Sequence, residues 1–488
     1  MMYRYSATQL HQLFIQKKVS AEEIVRYFLK RIHAEDGKIG SFLKVFDERA
    51  IEKAKELDQK LKEGKPVGRL AGVPVAIKDN IHIKGEKTTC ASKILENYTA
   101  PYSATVTELI EKEDGIIIGK NNLDEFAMGS TNENSAFFPC KNPWNTQLTP
   151  GGSSGGGAAC VSARFCPISL GSDTGGSIRL PASFTGTVGF KPSYGKVSRY
   201  GLVAYASSLD QIGPMAYNVE DTALMAEVIS GWDAKDSTSI QEPKENYLES
   251  LQLSIQGKKV GVPYEFLKSM TEERRAHFEE NINKLREMGC SIVPVELPMS
   301  LKSIPVYYIL APAEASTNLA RYDGIGFSKR ADNIQTLDEL YDVSRKEGFG
   351  KEVRQRILLG TYVLSSSHKD AYYKKAQKVR TLIIEEFKEA FKACDMIAMP
   401  TSPGSAFPLG SIQDPVKMYL QDIYTIPANM AGLPAISVPT GFTNDNRPLS
   451  IQFVGPYKED GRVLRFAYHM EKHVNLPSLV PPQFDREV

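Results

Sequence analysis

The sequence predicts an α/β protein, with a β-sheet covered by helices in one large domain. Two observations predict this class. Short apolar runs that suit buried strands alternate with charged stretches that suit helices along the chain. No repeat, no charge block and no linker rich in Pro, Gly or Ser divides the 488 residues. We therefore expect a single domain over residues 1–488.

The N-terminal segment, residues 1–65, is predicted to be helical. Ser6-Ala-Thr-Gln9 and Ser20-Ala-Glu-Glu23 each place a hydroxyl three residues before Gln or Glu. This is the capping-box pattern that opens a helix, because the two side chains satisfy backbone N–H groups reciprocally. A third, highly charged helix is predicted over 47–63, where Gly64 ends it.

Strands and helices alternate after this segment. The predicted strands are 73–77, 116–118, 167–171, 259–262, 291–295, 396–399, 436–438 and 450–454. The predicted helices are 104–113, 158–163, 219–229, 272–288 and 462–473. Residues 298–350 show no clear periodicity and are rich in Tyr, Pro and polar residues, so we expect an irregular excursion that faces the substrate.

Charge and cysteine content exclude several classes of protein. The 59 basic and 58 acidic residues give a net charge of +1, which provides no electrostatic footprint for nucleic acid. The six cysteines contain no Cys-x-x-Cys pair, which argues against a zinc site and against a disulfide framework.

No apolar run has the length of a membrane span and no signal core opens the chain, so we expect a cytoplasmic protein without a membrane partner.

Residues 149–181 contain two Gly-Gly-Ser turns, which end at Ser153 and Ser177. A flexible linker is the alternative interpretation of so much glycine. Apolar, structured sequence follows the first turn at once, and a second glycine pair recurs before Ser177, which a linker does not need. Such turns place N–H groups and a hydroxyl around one small volume. The amides of Thr174, Gly175 and Gly176 are predicted to stabilise an oxyanion beside Ser177.

A serine nucleophile needs a base, and Lys78 is the best candidate. None of the seven histidines has an obvious Asp-bearing partner motif. Lys78 follows the apolar run 73–77, so it is placed at the carboxyl end of a buried strand. Apolar surroundings lower the pKa of a lysine enough for it to act as a neutral base. The alternative is a solvated lysine at the end of a strand. Cys160 and Cys166 are candidates for a catalytic thiol, but their interpretation as small buried residues is favoured.

These residues together resemble the amidase signature family. The motifs that carry the resemblance are Lys78-Asp-Asn, Gly-Gly-Ser-Ser-Gly-Gly around Ser153, and Gly-Ser-Asp-Thr-Gly-Gly-Ser-Ile-Arg around Ser177. The resemblance covers nearly the whole chain and implies a mixed sheet with helices on both sides. It also implies a Ser–Ser–Lys triad, in which Lys78 takes a proton from Ser153 and Ser153 takes one from the nucleophile Ser177. One peptide bond next to Ser153, to Gly152 or to Ser154, is then expected to be cis.

Within this family the chain resembles the glutaminase subunits of tRNA-dependent amidotransferases. The further motifs are Asn122-Leu-Asp-Glu-Phe-Ala-Met-Gly-Ser130, Ser208-Leu-Asp-Gln-Ile-Gly-Pro214, Glu314-Ala-Ser, Asn318-Leu-Ala-Arg-Tyr-Asp-Gly324, Gly348-Phe-Gly-Lys-Glu-Val353 and Ala428-Asn-Met-Ala-Gly-Leu-Pro434. The resemblance implies that Asp422 binds the α-ammonium of glutamine and that Arg356 binds its α-carboxylate. Tyr307 or its neighbour Tyr308 adds a hydroxyl contact, and Ser154 lies close to the site.

The resemblance further implies that this chain holds no cofactor and works with partner subunits. Ammonia would pass to a B subunit of the kinase type, which uses ATP and Mg to amidate Glu-tRNA(Gln). A C subunit completes the heterotrimer. Two other hypotheses stay open: a free-standing amidase that acts on small amides, and a catalytically inactive scaffold. Leu180, Gly157 and Gly326 depart from the residues expected at their positions, which leaves the fine shape of the pocket open.

Overall fold

A computed structural model of the chain describes residues 1–476 and 479–488. The strands of the described residues are β1 (Phe42–Val45), β2 (Pro74–Lys78), β3 (Ile116–Asn121), β4 (Ile168–Asp173), β5 (Val188–Lys191), β6 (Gln211–Ala216), β7 (Lys259–Val262), β8 (Ser291–Pro294), β9 (Met396–Pro400), β10 (Ala435–Phe442) and β11 (Pro448–Val454). They form a single sheet in the order β1-β3-β2-β4-β6-β5-β10-β11-β9-β7-β8. The neighbours β3, β2 and β4 are parallel, as are β9, β7 and β8, and antiparallel pairs join the two groups. The predicted mixed sheet is confirmed.

The sheet is covered by helices on both faces. The helices are α1 (Ala7–Ile15), α2 (Ala21–Glu35), α3 (Asp47–Lys62), α4 (Thr105–Lys112), α5 (Gly155–Ser162), α6 (Arg179–Thr185), α7 (Val219–Ile229), α8 (Tyr247–Leu251), α9 (Glu272–Glu287), α10 (Ser303–Asn318), α11 (Leu337–Gly348), α12 (Lys351–Leu364), α13 (Lys375–Ala393), α14 (Pro415–Tyr419), α15 (Ile426–Met430) and α16 (Asp460–Val474). Successive residues of a strand point to opposite faces. Accordingly, Ala76 packs into an apolar cluster with α2 and α5, while Val75 and Ile77 pack into another with α4 and α7.

The N-terminal segment contains the three predicted helices. Both capping boxes are formed, with Ser6 paired to Gln9 and Ser20 paired to Glu23. The prediction of an entirely helical segment is wrong in one respect, because β1 lies within it and pairs antiparallel with β3. Four residues with one polar member are too few to show a strand period.

The prediction of an irregular stretch over 298–350 is wrong, because α10 and α11 occupy most of it. Buried residues run almost without interruption along α10, which contacts both α12 and α13. A helix buried on all sides has no polar face, so it shows no amphipathic period. Pro312 inside α10 further hides the helix from sequence reasoning.

The sheet brings the ends of two distant strands to one place. Lys78 is the last residue of β2, and Asp173 is the last residue of β4. Because β2 and β4 are parallel neighbours, their carboxyl ends lie side by side at the same edge of the sheet. In the described part of the chain, no helix is long and apolar enough to cross a membrane.

Candidate active site

The Lys78 side chain lies at the centre of a buried cluster of hydroxyl groups. Its Nζ is 2.7 Å from Ser153 Oγ, 2.8 Å from Ser154 Oγ and 3.0 Å from Ser172 Oγ. Burial lowers the pKa of Lys78 to about 7, against the opposing effect of the Asp124 carboxylate. A large share of Lys78 is therefore neutral at neutral pH, and a neutral amine beside Ser153 can accept a proton.

Ser153 follows a turn that has no room for side chains. The peptide bond between Gly152 and Ser153 is cis, which confirms the first of the two bonds predicted for this geometry. A Cβ atom on Gly152 would lie 2.0 Å from Asp124 Oδ2, so glycine is required there. The backbone N–H of Asp124 donates to the Ser153 carbonyl at 3.1 Å. Asp124 thus holds the turn that presents Ser153 to Lys78.

Ser177 is the most exposed of the three residues of the predicted triad. Its exposed fraction is 9%, whereas Lys78 and Ser153 are fully buried. Its carbonyl accepts the N–H of Ser154 at 3.1 Å, so the two serine turns are in direct contact. Among the described residues, the Ser177 hydroxyl has no hydrogen-bond partner and is not bonded to Ser153. The structure therefore shows the hydrogen bond between Lys78 and Ser153, whereas a hydrogen bond between Ser153 and Ser177 stays a prediction.

The turn before Ser177 offers fewer free amides than predicted. Within the described chain, the N–H groups of Thr174 and Gly175 have no hydrogen-bond partner. The Gly176 N–H instead donates to Asp173 Oδ1 at 2.8 Å, which corrects its predicted role as an oxyanion donor. Gly176 shapes the turn, because its φ of +138° is rarely open to other residues.

A buried ion pair that the sequence analysis did not single out supports this turn. Arg179 Nε and Nη2 donate to the two carboxylate oxygens of Asp173 at 3.0 Å each, and both side chains are fully buried. Burial alone would raise the pKa of Asp173. The charge and hydrogen bonds of Arg179, together with Lys191 and Asn429, outweigh burial and lower the pKa to about 2. Both residues stand in the signature motif, but their spacing in the sequence does not reveal that they pair.

The two charged residues predicted to bind glutamine are both buried. Arg356 Nη1 donates to the Tyr205 hydroxyl at 2.6 Å, and Arg356 Nε donates to Glu352 at 2.8 Å. Asp422 Oδ2 accepts the Ser130 hydroxyl at 2.6 Å. Ser130 and Arg356 line a cavity of about 270 Å³. Arg356 therefore lines this cavity directly, and Asp422 is joined to its wall through the hydroxyl of Ser130.

Asp422 lies directly against the turn that carries Ser177. Its Oδ1 is 3.1 Å from the position that a Cβ atom on Gly176 would take. Burial raises the pKa of Asp422 to about 7, against the hydrogen bond from Ser130. An ammonium group next to Asp422 would favour the ionised form, because an opposite charge stabilises a carboxylate.

Of the two tyrosines, Tyr307 is the one that touches the nucleophile turn. Its ring lies 2.9 Å from the position of a Cβ atom on Gly175. Tyr308 instead stacks on Tyr419, at a centroid distance of 3.7 Å, and its ring faces the Arg356 guanidinium at 5.3 Å. Contact of the Tyr307 hydroxyl with a substrate stays a prediction.

The three departures from the family pattern occupy different surroundings. Leu180 is buried in a small apolar cluster with Phe184. A Cβ atom on Gly157 would lie 2.7 Å from the terminal methyl of Met215. At Gly326 the surroundings are open within 4 Å. None of the three contacts the triad in the described structure.

The alternative catalytic groups are poorly suited to their roles. Burial raises the pKa of the Cys160 thiol well above its usual value, which disfavours the reactive thiolate. Burial also lowers the pKa of His82 to about 4. His82 makes no hydrogen bond through its ring nitrogens within the described residues. Of these candidates, Lys78 is therefore the best placed to act as the base.

Hydrolysis of the substrate amide is expected to weaken as the pH falls below about 7. Lys78 must be neutral to accept a proton, and Asp422 must be ionised to pair with an ammonium group. Each group has a pKa of about 7, so acidification protonates both and removes both functions. The measurement is kcat/KM as a function of pH, which reports the pKa values of the essential groups in the free enzyme. A profile that stays flat down to pH values of about 5.5 would contradict both assignments.

Comparison with known proteins assigns this fold and site to a class. The Amidase family model matches residues 23–464, and the chain belongs to that family. It is 56% identical over 483 residues to the A subunit of glutamyl-tRNA(Gln) amidotransferase from Protochlamydia amoebophila, covering 98% of this chain and 99% of that one. It is 51% identical to the protein of the same name from Chlamydia pneumoniae, covering 100% and 99% of the two chains.

A solved structure gives the same result. The crystal structure of the A subunit of glutamyl-tRNA(Gln) amidotransferase from Thermotoga maritima matches with a TM-score of 0.81 and 42% identity. The match covers 98% of this chain and 96% of that chain. The similarity thus includes both the serine turns and the helices that carry Arg356 and the residues around Asp422.

Proposed function

We propose that this chain is the glutaminase subunit of a glutamyl-tRNA(Gln) amidotransferase. It hydrolyses glutamine to glutamate and ammonia, and the ammonia serves to convert Glu-tRNA(Gln) to Gln-tRNA(Gln) in the complex. The observation that carries this proposal is the presence of two buried opposite charges, with Asp422 against the turn of Ser177 and Arg356 in the wall of the cavity that Ser130 also lines. The relatives that match over their full length bear the name of this enzyme.

The charge pair matches the chemistry of free glutamine. Its carboxamide, which reacts, lies at one end, and an α-ammonium and an α-carboxylate lie at the other. Asp422 can pair with the ammonium, and the guanidinium of Arg356 can bind the carboxylate through two parallel hydrogen bonds. A simple amide has neither charge, so it would gain no ion pair with Asp422 or Arg356. The site therefore favours glutamine over small neutral amides.

The reaction begins with proton transfer along the triad. Neutral Lys78 accepts the proton of Ser153, which accepts that of Ser177 as the Ser177 Oγ forms a bond to the carboxamide carbon. The carbonyl oxygen gains the negative charge, next to the free amides of Thr174 and Gly175. The proton returns along the relay to the leaving nitrogen, the C–N bond breaks, and ammonia departs. Water then enters by the reverse route and releases glutamate from Ser177.

The remaining chemistry belongs to partner subunits in this proposal. A B subunit binds the tRNA and uses ATP and Mg to activate the glutamyl group, and a C subunit completes the complex in the cytosol. The near-neutral charge of this chain supports such a division, because a net charge of +1 gives it little attraction for nucleic acid. This subunit itself requires no cofactor for the steps described above.

Replacing Arg356 by alanine separates the glutaminase subunit from a free-standing amidase. The variant leaves the glutamine carboxylate without its counter-charge in a buried site, a loss of about 2–5 kcal/mol. We expect use of glutamine to fall by about 1.5 to 3.5 orders of magnitude. Amidation of Glu-tRNA(Gln) by the assembled complex should survive when ammonium chloride replaces glutamine.

The measurement is the amount of Gln-tRNA(Gln) formed with each nitrogen donor. Arg354→Ala is the matched control, because Arg354 lies on the same helix but is exposed. It should keep both activities. An equal loss with glutamine and with ammonium in the assembled complex would contradict the role of ammonia donor.

A further inference from the structure

The carboxylate of Asp210 lies between the two halves of the site. Asp210 directly precedes β6 and is almost fully buried, with 3% of its surface exposed. Its Oδ1 accepts the hydroxyl of Thr174 at 2.7 Å. Its Oδ2 accepts the backbone N–H groups of Tyr205 and Ala206 at 2.9 and 3.1 Å. Oδ1 also accepts the Ala206 N–H, at 3.2 Å. The carboxylate thus bonds to two segments of the chain, the turn that begins at Thr174 and the loop of Tyr205 and Ala206.

These two segments serve opposite ends of the proposed substrate. Thr174 opens the turn that carries Ser177, where the carboxamide reacts. Tyr205 accepts a hydrogen bond from Arg356 through its hydroxyl, at 2.6 Å. A continuous series of contacts therefore runs from the nucleophile turn through Asp210 and Tyr205 to the guanidinium that binds the carboxylate.

The Thr174 contact exceeds what loop capping requires. Asp236 caps a neighbouring loop by accepting the N–H groups of Arg199 and Thr238 at 2.8 and 3.0 Å, without reaching the nucleophile turn. Asp210 also accepts N–H groups of its own loop, but its Oδ1 accepts in addition the hydroxyl of Thr174, in the turn that follows β4. Burial raises the pKa of Asp210 to about 6, so keeping this carboxylate ionised depends on these hydrogen bonds.

We propose that Asp210 is a positioning residue that fixes the nucleophile turn relative to the carboxylate-binding Arg356. This inference rests on the proposed function. The contact through Thr174 affects the end of the site where the carboxamide reacts. The contact through Tyr205 affects the end where Arg356 binds the carboxylate. The two contacts are therefore separable by single substitutions.

The experiment measures glutamine hydrolysis by the full chain in its complex. Thr174→Val removes the hydroxyl and keeps the shape, so kcat should fall about tenfold with little change in KM. Tyr205→Phe removes the partner of Arg356, so KM should rise about tenfold with little change in kcat. Asp210→Ala has no polar atom on either side and should show both effects. Adding Thr174→Val to Asp210→Ala should lower kcat no further, because the contact is already lost.

Asp236→Ala is the matched control, since Asp236 is a buried loop-capping carboxylate that lines, together with Asp210, a cavity of about 210 Å³. It should leave kcat and KM unchanged. Equal losses in Asp236→Ala and Asp210→Ala would overturn the inference, as would Thr174→Val and Tyr205→Phe both changing the same constant. The single-contact variants decide the matter even if Asp210→Ala fails to fold. Absence of glutamine hydrolysis by the unmodified complex would overturn the proposed function. Normal hydrolysis by the unmodified complex, without the expected division of the variants' effects between kcat and KM, would overturn the inference alone.

Discussion

Replacing Ser177 by alanine is expected to lower glutamine hydrolysis by about six orders of magnitude, the effect typical of losing a serine nucleophile. The hydroxyl is the only group removed, and in the described structure it makes no hydrogen bond that supports the fold. The variant should therefore unfold at the same temperature as the unmodified chain. Ammonium-dependent amidation of tRNA by the complex should continue, because that reaction does not use this hydroxyl.

Rapid-quench assays with glutamine, together with intact mass measurement of the acyl-enzyme, test this expectation. Ser169→Ala is the matched control. Ser169 is likewise a buried serine and lies on β4, the strand that precedes the nucleophile turn, but its hydroxyl donates to the Gly157 carbonyl. Accumulation of a covalent glutamyl adduct in Ser177→Ala would show that another residue is the nucleophile.

Replacing Lys78 by alanine is expected to be nearly as damaging, because Ser153 loses the group that accepts its proton. Lys78→Arg should fail as well, since a guanidinium remains protonated and cannot act as a base. The double variant with Ser177→Ala should be little worse than Ser177→Ala alone, because residues that act as a unit do not contribute additively.

Single-turnover rates of the three variants, measured across pH, test the assignment of the base. Lys78→Ala with a rate within about tenfold of the unmodified chain would contradict it. His82 would then need to be reconsidered, although its low pKa and its lack of a described hydrogen-bond partner argue against that role.

The sequence was informative where the chemistry requires a local pattern. Glycine pairs around Ser153 and Ser177 predicted two tight turns, and the apolar run before Lys78 predicted a buried strand that ends at the site. Parallel pairing of β2 with β4 then explains why residues far apart in the chain meet at one edge of the sheet. Of the site itself, the cluster around Lys78 was the most accessible to sequence reasoning.

The remainder depends on contacts that no local pattern encodes. Gly176 was predicted to donate to an oxyanion, but Asp173 takes its N–H in the folded chain. Nothing in the sequence indicates that Asp210 contacts Thr174 or that Tyr205 contacts Arg356. α10 was missed because burial on all sides removes the periodicity by which helices are recognised.

The residues of the site divide along the chain into two groups with separate tasks. Lys78, Ser153 and Ser177 lie at or beside β2 and β4, whereas Arg356 lies on α12 and Asp422 follows α14. Substitutions in the later segments can alter which amide is admitted without disturbing the groups that break the bond. Under the proposed assignment, divergence of substrate range within this fold can therefore proceed through the second half of the chain, while the bond-breaking groups of the first half are inherited unchanged.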